Sequence, residues 1–395
     1  MTGAEDYAAA VMTAYLFEGE DHAAIRASVR GFAHQHIAPY GAEWEENEEF
    51  PVELYRTAAQ AGVTGIGYPE ALGGQGGDLG HVLVASDEMT IAGRSVGTLV
   101  GLGSHGIALP PIVRFGTAEQ QQRFVTPCLK DGKIAALAVT EPGGGSDVAA
   151  LATKATRDGD VYVVTGAKTF ITSGTRADFV TCAVRTGGAG HGGISMLVIE
   201  RGMPGFTVSK KLKKTGWWAS DTAELHFDGV RVPVANRIGP ENGAFPMIMM
   251  NFAGERLMLA GQCVAIAELA YRETIAYAKQ RQAFGKSLTG FQVTRHKLAD
   301  MASRIAAARA LTGETLVRVL RNEPPNVLAG LASMAKNVAT DMCSFVCDQA
   351  VQLHGGYGYM RETLVERLYR DARLYPIGGG TREIMNEVIA KTEGY

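Results

Sequence analysis

Hydrophobic positions in this chain change their spacing twice. Up to about residue 130 they recur at helical intervals. In Asp21–Ile37 the apolar residues Ile25, Val29, Phe32 and Ile37 fall near one face, with Asp21 placed to cap the helix. A second helix is expected after Phe50-Pro51, since proline is well tolerated at a first helical position. The glycine-rich loop 71–80 separates it from another helix, and the apolar run from Ser95 to Val113 reads as one or two buried ones. Thr117 and Gln120 form a capping-box pattern that opens one more. From about residue 131 the runs become short, β-branched and alternating, divided by turns such as 157–160. They predict a small antiparallel barrel or sandwich. After Pro240 the helical spacing returns. A long helix is expected over 243–279, others over 291–321 and 327–353 with a break at Pro324-Pro325, and short ones over 362–373 and 381–392. The fold class is α+β: an all-helical domain over 1–130, a β domain over 131–239 and a C-terminal four-helix bundle domain over 240–395.

Composition narrows the functions. The 395 residues are 46% hydrophobic and 20% charged with a net charge of −3, so no basic excess favours nucleic acid or an anionic membrane. No uninterrupted apolar run is long enough to span a bilayer. The five cysteines, at 128, 182, 263, 343 and 347, lack the spacing of a metal site, so no metal is expected. They read as buried thiols of a reduced, cytoplasmic protein. The first twenty residues carry Glu5, Asp6, Glu18 and Glu20 but no Lys or Arg, unlike a signal or transit peptide.

Candidate chemistry collects around glycines. The stretch 352–371 runs from a helical pattern through His354-Gly355-Gly356-Tyr357-Gly358 into a charged helix, and Gly378-Gly379-Gly380 follows. Glycines let a ligand approach the backbone, and N–H groups at helix starts suit anions; helix ends also collect glycine. After a strand ending at Thr140, Gly143-Gly144-Gly145-Ser146 can present N–H groups and a hydroxyl, or can be a plain turn capped by Asp147. Phe170 lies among the hydroxyls of Thr169, Thr172 and Ser173, which suits a flat heteroaromatic ligand as well as ordinary sheet packing.

Taken together, 138–150 (AVTEPGGGSDVAA), 168–174 (KTFITSG), 216–233 (GWWASDTAELHFDGVRVP), 281–286 (RQAFGK) and 352–371 (QLHGGYGYMRETLVERLYRD) resemble the acyl-CoA dehydrogenase family, in order and over nearly the whole chain. The resemblance implies a homotetrameric flavoprotein, a dimer of dimers, with FAD held between the β domain and the C-terminal bundle. Leu137, Val139 and Thr140 would lie along the isoalloxazine, Phe170 would pack on it and Thr172 would offer its hydroxyl near N5. Ser146 would touch the pyrophosphate or the acyl-carrier arm. Arg281, Phe284 and Gln292 would reach a neighbouring subunit's FAD, and Gln352, Gly355 and Gly356 would return that contact. Thr381 and Glu383 would hold the ADP half. Phe252, Arg256 and Gly380 would border the substrate. Electrons would pass to an electron-transferring flavoprotein.

Dehydrogenating a thioester requires a base for the α-proton, donors for the enolate-like oxygen and an acceptor for the β-hydrogen, here flavin N5. Many relatives place a glutamate base before Gly-Thr in the last glycine cluster. Gly379 stands there, with only its backbone N–H to offer the thioester carbonyl. In the isovaleryl-CoA and long-chain branches a glutamate on the long helix is the base, and Glu255 matches it; without the resemblance, an ion pair with Arg256 or Arg272 is the plainer reading. Likeness to the long-chain branch implies a fatty acyl-CoA taken to the trans-2-enoyl-CoA in β-oxidation. Alternatives are a branched-chain acyl-CoA, an acyl-carrier-protein thioester (Ala253 stands where some relatives carry an Asp on the carrier arm), a flavin oxidase or monooxygenase, and a DNA-binding relative.

Overall fold

A computed structural model describes residues 19–395. The reading of residues 1–18 as neither signal nor transit peptide lies outside the described residues. The chain begins with helices α1 (Glu20–His36), α2 (Gly41–Glu46), α3 (Glu53–Gln60) and α4 (Leu79–Gly93). The apolar run after Ser95 resolves into three short helices, α5 (Val96–Leu102), α6 (His105–Ala108) and α7 (Pro110–Phe115), where one or two were expected. Next come α8 (Ala118–Gln120), a single π turn and α9 (Thr126–Asp131). The strands are β1 (Ala135–Ala138), β2 (Lys154–Asp158), β3 (Val161–Thr172), β4 (Phe179–Arg185), β5 (Ile194–Glu200), β6 (Phe206–Lys211), β7 (Thr222–Pro233) and β8 (Arg237–Ile238). The chain ends with α10 (Ala244–Gln280), a small hairpin of β9 (Gln282–Ala283) and β10 (Lys286–Ser287), α11 (Gln292–Leu320), α12 (Pro325–His354), α13 (Leu364–Ala372) and α14 (Arg382–Glu393).

Most boundaries follow local chemistry. The Thr117/Gln120 capping box forms as expected, and Asp78 and His81 form a second one at α4. Pro325 starts α12 at a position that has no use for an N–H. Asp21 does not cap α1. The cap position is Gly19, without a side-chain bond, and Asp21 lies in the first turn, where a carboxylate favours the helix dipole.

By contact the described chain divides into two compact units, residues 19–42, 77–96 and 253–395 in one and 43–76 and 97–252 in the other. The second unit holds the sheet, in the order β6-β7-β3-β2-β4-β5-β8 with β1 beside β4. It is mixed rather than antiparallel throughout, since β1 and β2 both run parallel to β4. The chain does turn tightly between Glu141 and Gly144, but it does not pair back onto β1; β2 and β3 come between β1 and β4 in the chain. Strands β4 and β5 are buried almost end to end, which explains their unbroken apolar runs. Their residues join Leu109, Ile112, Phe124 and Met247 in one core. The pairing of β3 with β7 slips twice, between Val164 and Gly166 and between Lys168 and Ile171. Bulges of this kind re-aim side chains.

In the first unit α12 packs against α11, α13 and α14, and α1 packs against α4. Leu83 and Val84 of α4 share a small core with Leu257 and Leu316. Buried charges cross-link the same helices. Glu268 is gripped by Arg272 and Arg309, and Arg26 reaches Asp87 and Glu88 at 3.2 Å. All five cysteines are buried and unbridged. Among the described residues no single helix is long and apolar enough to cross a membrane.

Candidate active site

The expected site residues fall in both units. In the second unit, β1 delivers Leu137, Val139 and Thr140 to the start of the glycine loop. Thr169 N–H donates to the Thr140 carbonyl at 2.9 Å, so this segment and the end of β3 are held side by side. The loop itself, Pro142 to Ser146, is exposed. Phe170 stands at the second bulge with φ +59° and its ring 68% exposed. A left-handed backbone on a bulky residue is a genuine outlier, and strain of this kind gathers at functional sites. A large apolar ring turned out of the sheet, with the half-buried Thr172 two residues on, fits a flat heteroaromatic group better than the sheet-packing alternative. Asp147 heads the 3-10 turn Val148–Ala150 but makes no side-chain cap bond.

The residues that fix this end of the sheet were not singled out from sequence. Lys168 is fully buried, its ammonium 2.8 Å from Glu141 Oε1 and 3.0 Å from the Val139 carbonyl. Glu141 also accepts from the backbone N–H groups of Ala152 and Thr153, at 2.6 and 2.9 Å. One carboxylate thus ties both ends of the glycine loop to β3. Burial raises the Glu141 pKa, but Lys168 and these donors outweigh it and hold it below the usual carboxylate value. The signal was available: Lys168 shares the inward parity of Tyr162 and Val164 on β3.

In the first unit, the long helix and the last glycine cluster meet. Glu255 on α10 is partly covered. Its Oε2 is fully buried with no hydrogen-bond partner, and neither Arg256 nor Arg272 pairs with it. Arg272 is taken by Glu268, and the Arg256 Nε donates to the Gly379 carbonyl at 3.3 Å. Burial pushes the Glu255 carboxyl up to about 7, against the pull of Arg256 and Lys336. Gly379 and Gly380 have φ +67° and +99°, a turn open to glycine and costly for other residues. A Cβ on Gly379 would stand 2.6 Å from Leu259 Cδ1 and 3.4 Å from Glu255 Oε1. The Gly379 N–H has no acceptor among the described residues. A carboxylate with an open lone pair and an unengaged N–H donor thus lie together.

Lys336 of α12 completes this cluster, its ammonium donating to the Gly380 carbonyl at 2.6 Å. It too escaped sequence reasoning, although it lies on the face of α12 that carries buried Ala332, Ala339 and Cys343.

The other expected residues sit elsewhere. Thr381 caps α14 through Ile384 N–H and, with Glu383, borders a depression also lined by Ser344, Arg373 and Ile377. Arg281, Phe284 and Gln292 are exposed around the small hairpin, with Phe284 at 97%. Gln352, Gly355 and Gly356 are exposed at the end of α12. Tyr277, one turn before Arg281, stacks on His354 at 4.3 Å, so these two groups lie near each other. Phe252 packs at the edge of the second unit's core. Among the described residues no His, Cys, Asp and Glu cluster suits a metal.

Three family profiles cover nearly the whole chain: acyl-CoA dehydrogenase N-terminal domain over 19–131, middle domain over 136–230 and C-terminal domain over 242–393. The mitochondrial long-chain specific acyl-CoA dehydrogenase of Rattus norvegicus is 40% identical, the match covering 94% of this chain and 86% of that one. The short-chain specific acyl-CoA dehydrogenase of Clostridium acetobutylicum is also 40% identical, covering 93% and 96%. A crystal structure of a probable acyl-CoA dehydrogenase from Mycobacterium abscessus superposes with a TM-score of 0.93 at 49% identity, covering 95% of this chain and all of that one. The signatures, the three domains and these relatives agree, and the chain belongs to the acyl-CoA dehydrogenase family of FAD-dependent oxidoreductases.

Proposed function

We propose that the protein dehydrogenates the Cα–Cβ bond of a saturated long-chain acyl-CoA, with Glu255 as the base. The observation that carries this reading is the Glu255 carboxylate itself: buried at Oε2, free of hydrogen bonds and raised to about 7, beside an unengaged Gly379 N–H. A base with its pKa near neutrality both accepts a proton and exists in its ionised form. Glu255 takes the α-proton, and Gly379 N–H donates to the thioester carbonyl oxygen as negative charge grows there. FAD, when bound, supplies the acceptor for the β-hydrogen.

The residues that would hold FAD are Leu137, Val139, Thr140, Ser146, Phe170 and Thr172 together with Thr381 and Glu383, while Arg281, Phe284, Gln292, Gln352, Gly355 and Gly356 would serve a second copy in a homotetramer. Phe252, Arg256 and Gly380 complete the substrate's surroundings, and an electron-transferring flavoprotein is the electron acceptor in this reading. Its setting is the cytoplasm and fatty acid β-oxidation.

Long chains are favoured by the small residues Ala253 and Gly254, the latter with nothing within 4 Å of a Cβ added there. The relatives include both long- and short-chain enzymes, so the test is a titration. Flavin bleaching is followed anaerobically with saturated acyl-CoAs from short to long and branched. Strongest bleaching by long straight chains supports the proposal. A maximum at short or branched chains overturns the chain class, and no bleaching in FAD-loaded protein overturns the acyl-CoA substrate.

A further inference from the structure

The Gly379–Gly380 turn has a problem that its own residues do not solve. Two consecutive glycines in left-handed conformations have no side chains to hold them, and glycine loses more conformational freedom on ordering than any other residue. The turn is instead held from outside by its carbonyls. Arg256 of α10 takes the first at 3.3 Å, and Lys336 of α12 takes the second at 2.6 Å. The second bond is short and charge-assisted, the stronger kind.

Lys336 is an unusual residue to find there. It is 1% exposed, and among the described residues no carboxylate lies within 4 Å of its ammonium. A buried ammonium loses several kcal/mol of hydration that one carbonyl does not return in full. A methionine or leucine on this face of α12 would serve packing better. The charge, however, stands close to Glu255: Lys336 Cε and Glu255 Oε1 both reach the point where a Cβ on Gly379 would be, at 3.8 and 3.4 Å. The other charged or titratable groups acting on Lys336 and Glu255 are Arg256 and Cys263, both on α10.

We infer that Lys336 is a positioning residue for proton abstraction: its ammonium fixes the turn that presents Gly379 N–H and provides a counter-charge beside the Glu255 carboxylate. The inference rests on Glu255 being the base. Lys336 keeps Glu255 from being more basic than it is, and burial in turn brings the lysine down to about 8, so it is still mainly charged at pH 7.

The test uses FAD-loaded protein and anaerobic reduction by a saturated acyl-CoA between pH 5.5 and 9. For Lys336→Met the acid limb of kcat/KM moves up by about one pH unit, the size expected on losing a nearby opposite charge. Reduction at saturating substrate and pH 7 falls at least about tenfold, and flavin is retained. Lys336→Arg restores the limb to its wild-type position. An unmoved limb in Lys336→Met, with only Tm or flavin content lowered, makes the lysine structural and overturns the inference. Should Lys336→Met fail to hold flavin, Lys336→Gln, which keeps a donor without the charge, must show the same displacement. Glu255→Gln separates the two levels. Normal reduction in Glu255→Gln overturns the base itself, whereas an inactive Glu255→Gln beside an unmoved Lys336→Met limb overturns only the role of Lys336.

Discussion

Replacing Glu255 with Gln has two expected effects of opposite sign. The first is on rate. A positioned base contributes about 10²–10⁴-fold, or roughly 3–5 kcal/mol of barrier, and Gln keeps the shape while removing the basic lone pair. The second is on stability. The carboxyl is raised from its ordinary 4.5 to about 7, so the folded protein holds a proton that the unfolded chain has released. Wild-type stability therefore falls as pH rises from about 4.5 to about 7, and the loss is complete above that. A displacement of this size is worth at most about 3 kcal/mol; partial exposure of the side chain brings the expectation nearer 1–2 kcal/mol. For a chain of this length that is about 2 °C in Tm. Glu255→Gln should thus bleach with acyl-CoA at least a hundredfold more slowly, yet melt slightly above wild type at pH 8 and level with it near pH 5. Stopped-flow reduction and thermal unfolding at the two pH values measure both effects. Near-normal reduction would refute the base, and an equal Tm difference at both pH values would refute the argument for a destabilising carboxylate.

Four further changes test the surroundings. Lys168→Met leaves Glu141 buried without its counter-ion and should cost about 3–5 kcal/mol, with loss of FAD from the loosened glycine loop. In wild type, the depressed Glu141 pKa means its contribution is present at neutral pH and disappears as acid titrates the carboxylate, which acid unfolding of wild type against Glu141→Gln would reveal. Gly379→Ala forces a Cβ against Leu259 Cδ1 at a φ of +67° and should lower stability by about 1–3 kcal/mol while slowing flavin reduction; unchanged melting and turnover would contradict the strained turn. Phe170→Ala removes a ring that is 68% exposed, so the flavin-free protein should melt within about 0.5 kcal/mol of wild type. Its affinity for FAD should fall, and unchanged flavin binding would show that Phe170 has no part in the site.

How much was legible follows from the range of the forces involved. The Thr117/Gln120 cap and the break at Pro324-Pro325 are local, and each was visible in a few residues. Asp21 as a cap failed because Glu20 already continues the helical pattern one residue upstream. Strand direction was missed because spacing shows that a segment is extended but carries no sign for parallel or antiparallel pairing.

The chemistry divides in the same way. Glu255, Gly379 and Phe170 were made candidates by motif order, and motifs preserve residue identity and spacing. Whether Glu255 formed an ion pair depended on where Arg256 and Arg272 went, and both are drawn off, to the Gly379 carbonyl and to Glu268. Lys336 and Lys168 were silent because a lone lysine is usually a solvated charge; only packing by residues tens of positions away buries them. Helix and strand types, the order of domains and the family are carried by short-range periodicity and residue identity, which a linear chain records. The charge state of Glu255, the hold on the Gly379–Gly380 turn and the lock on the glycine loop arise from long-range burial and pairing, and these exist only once the chain has folded.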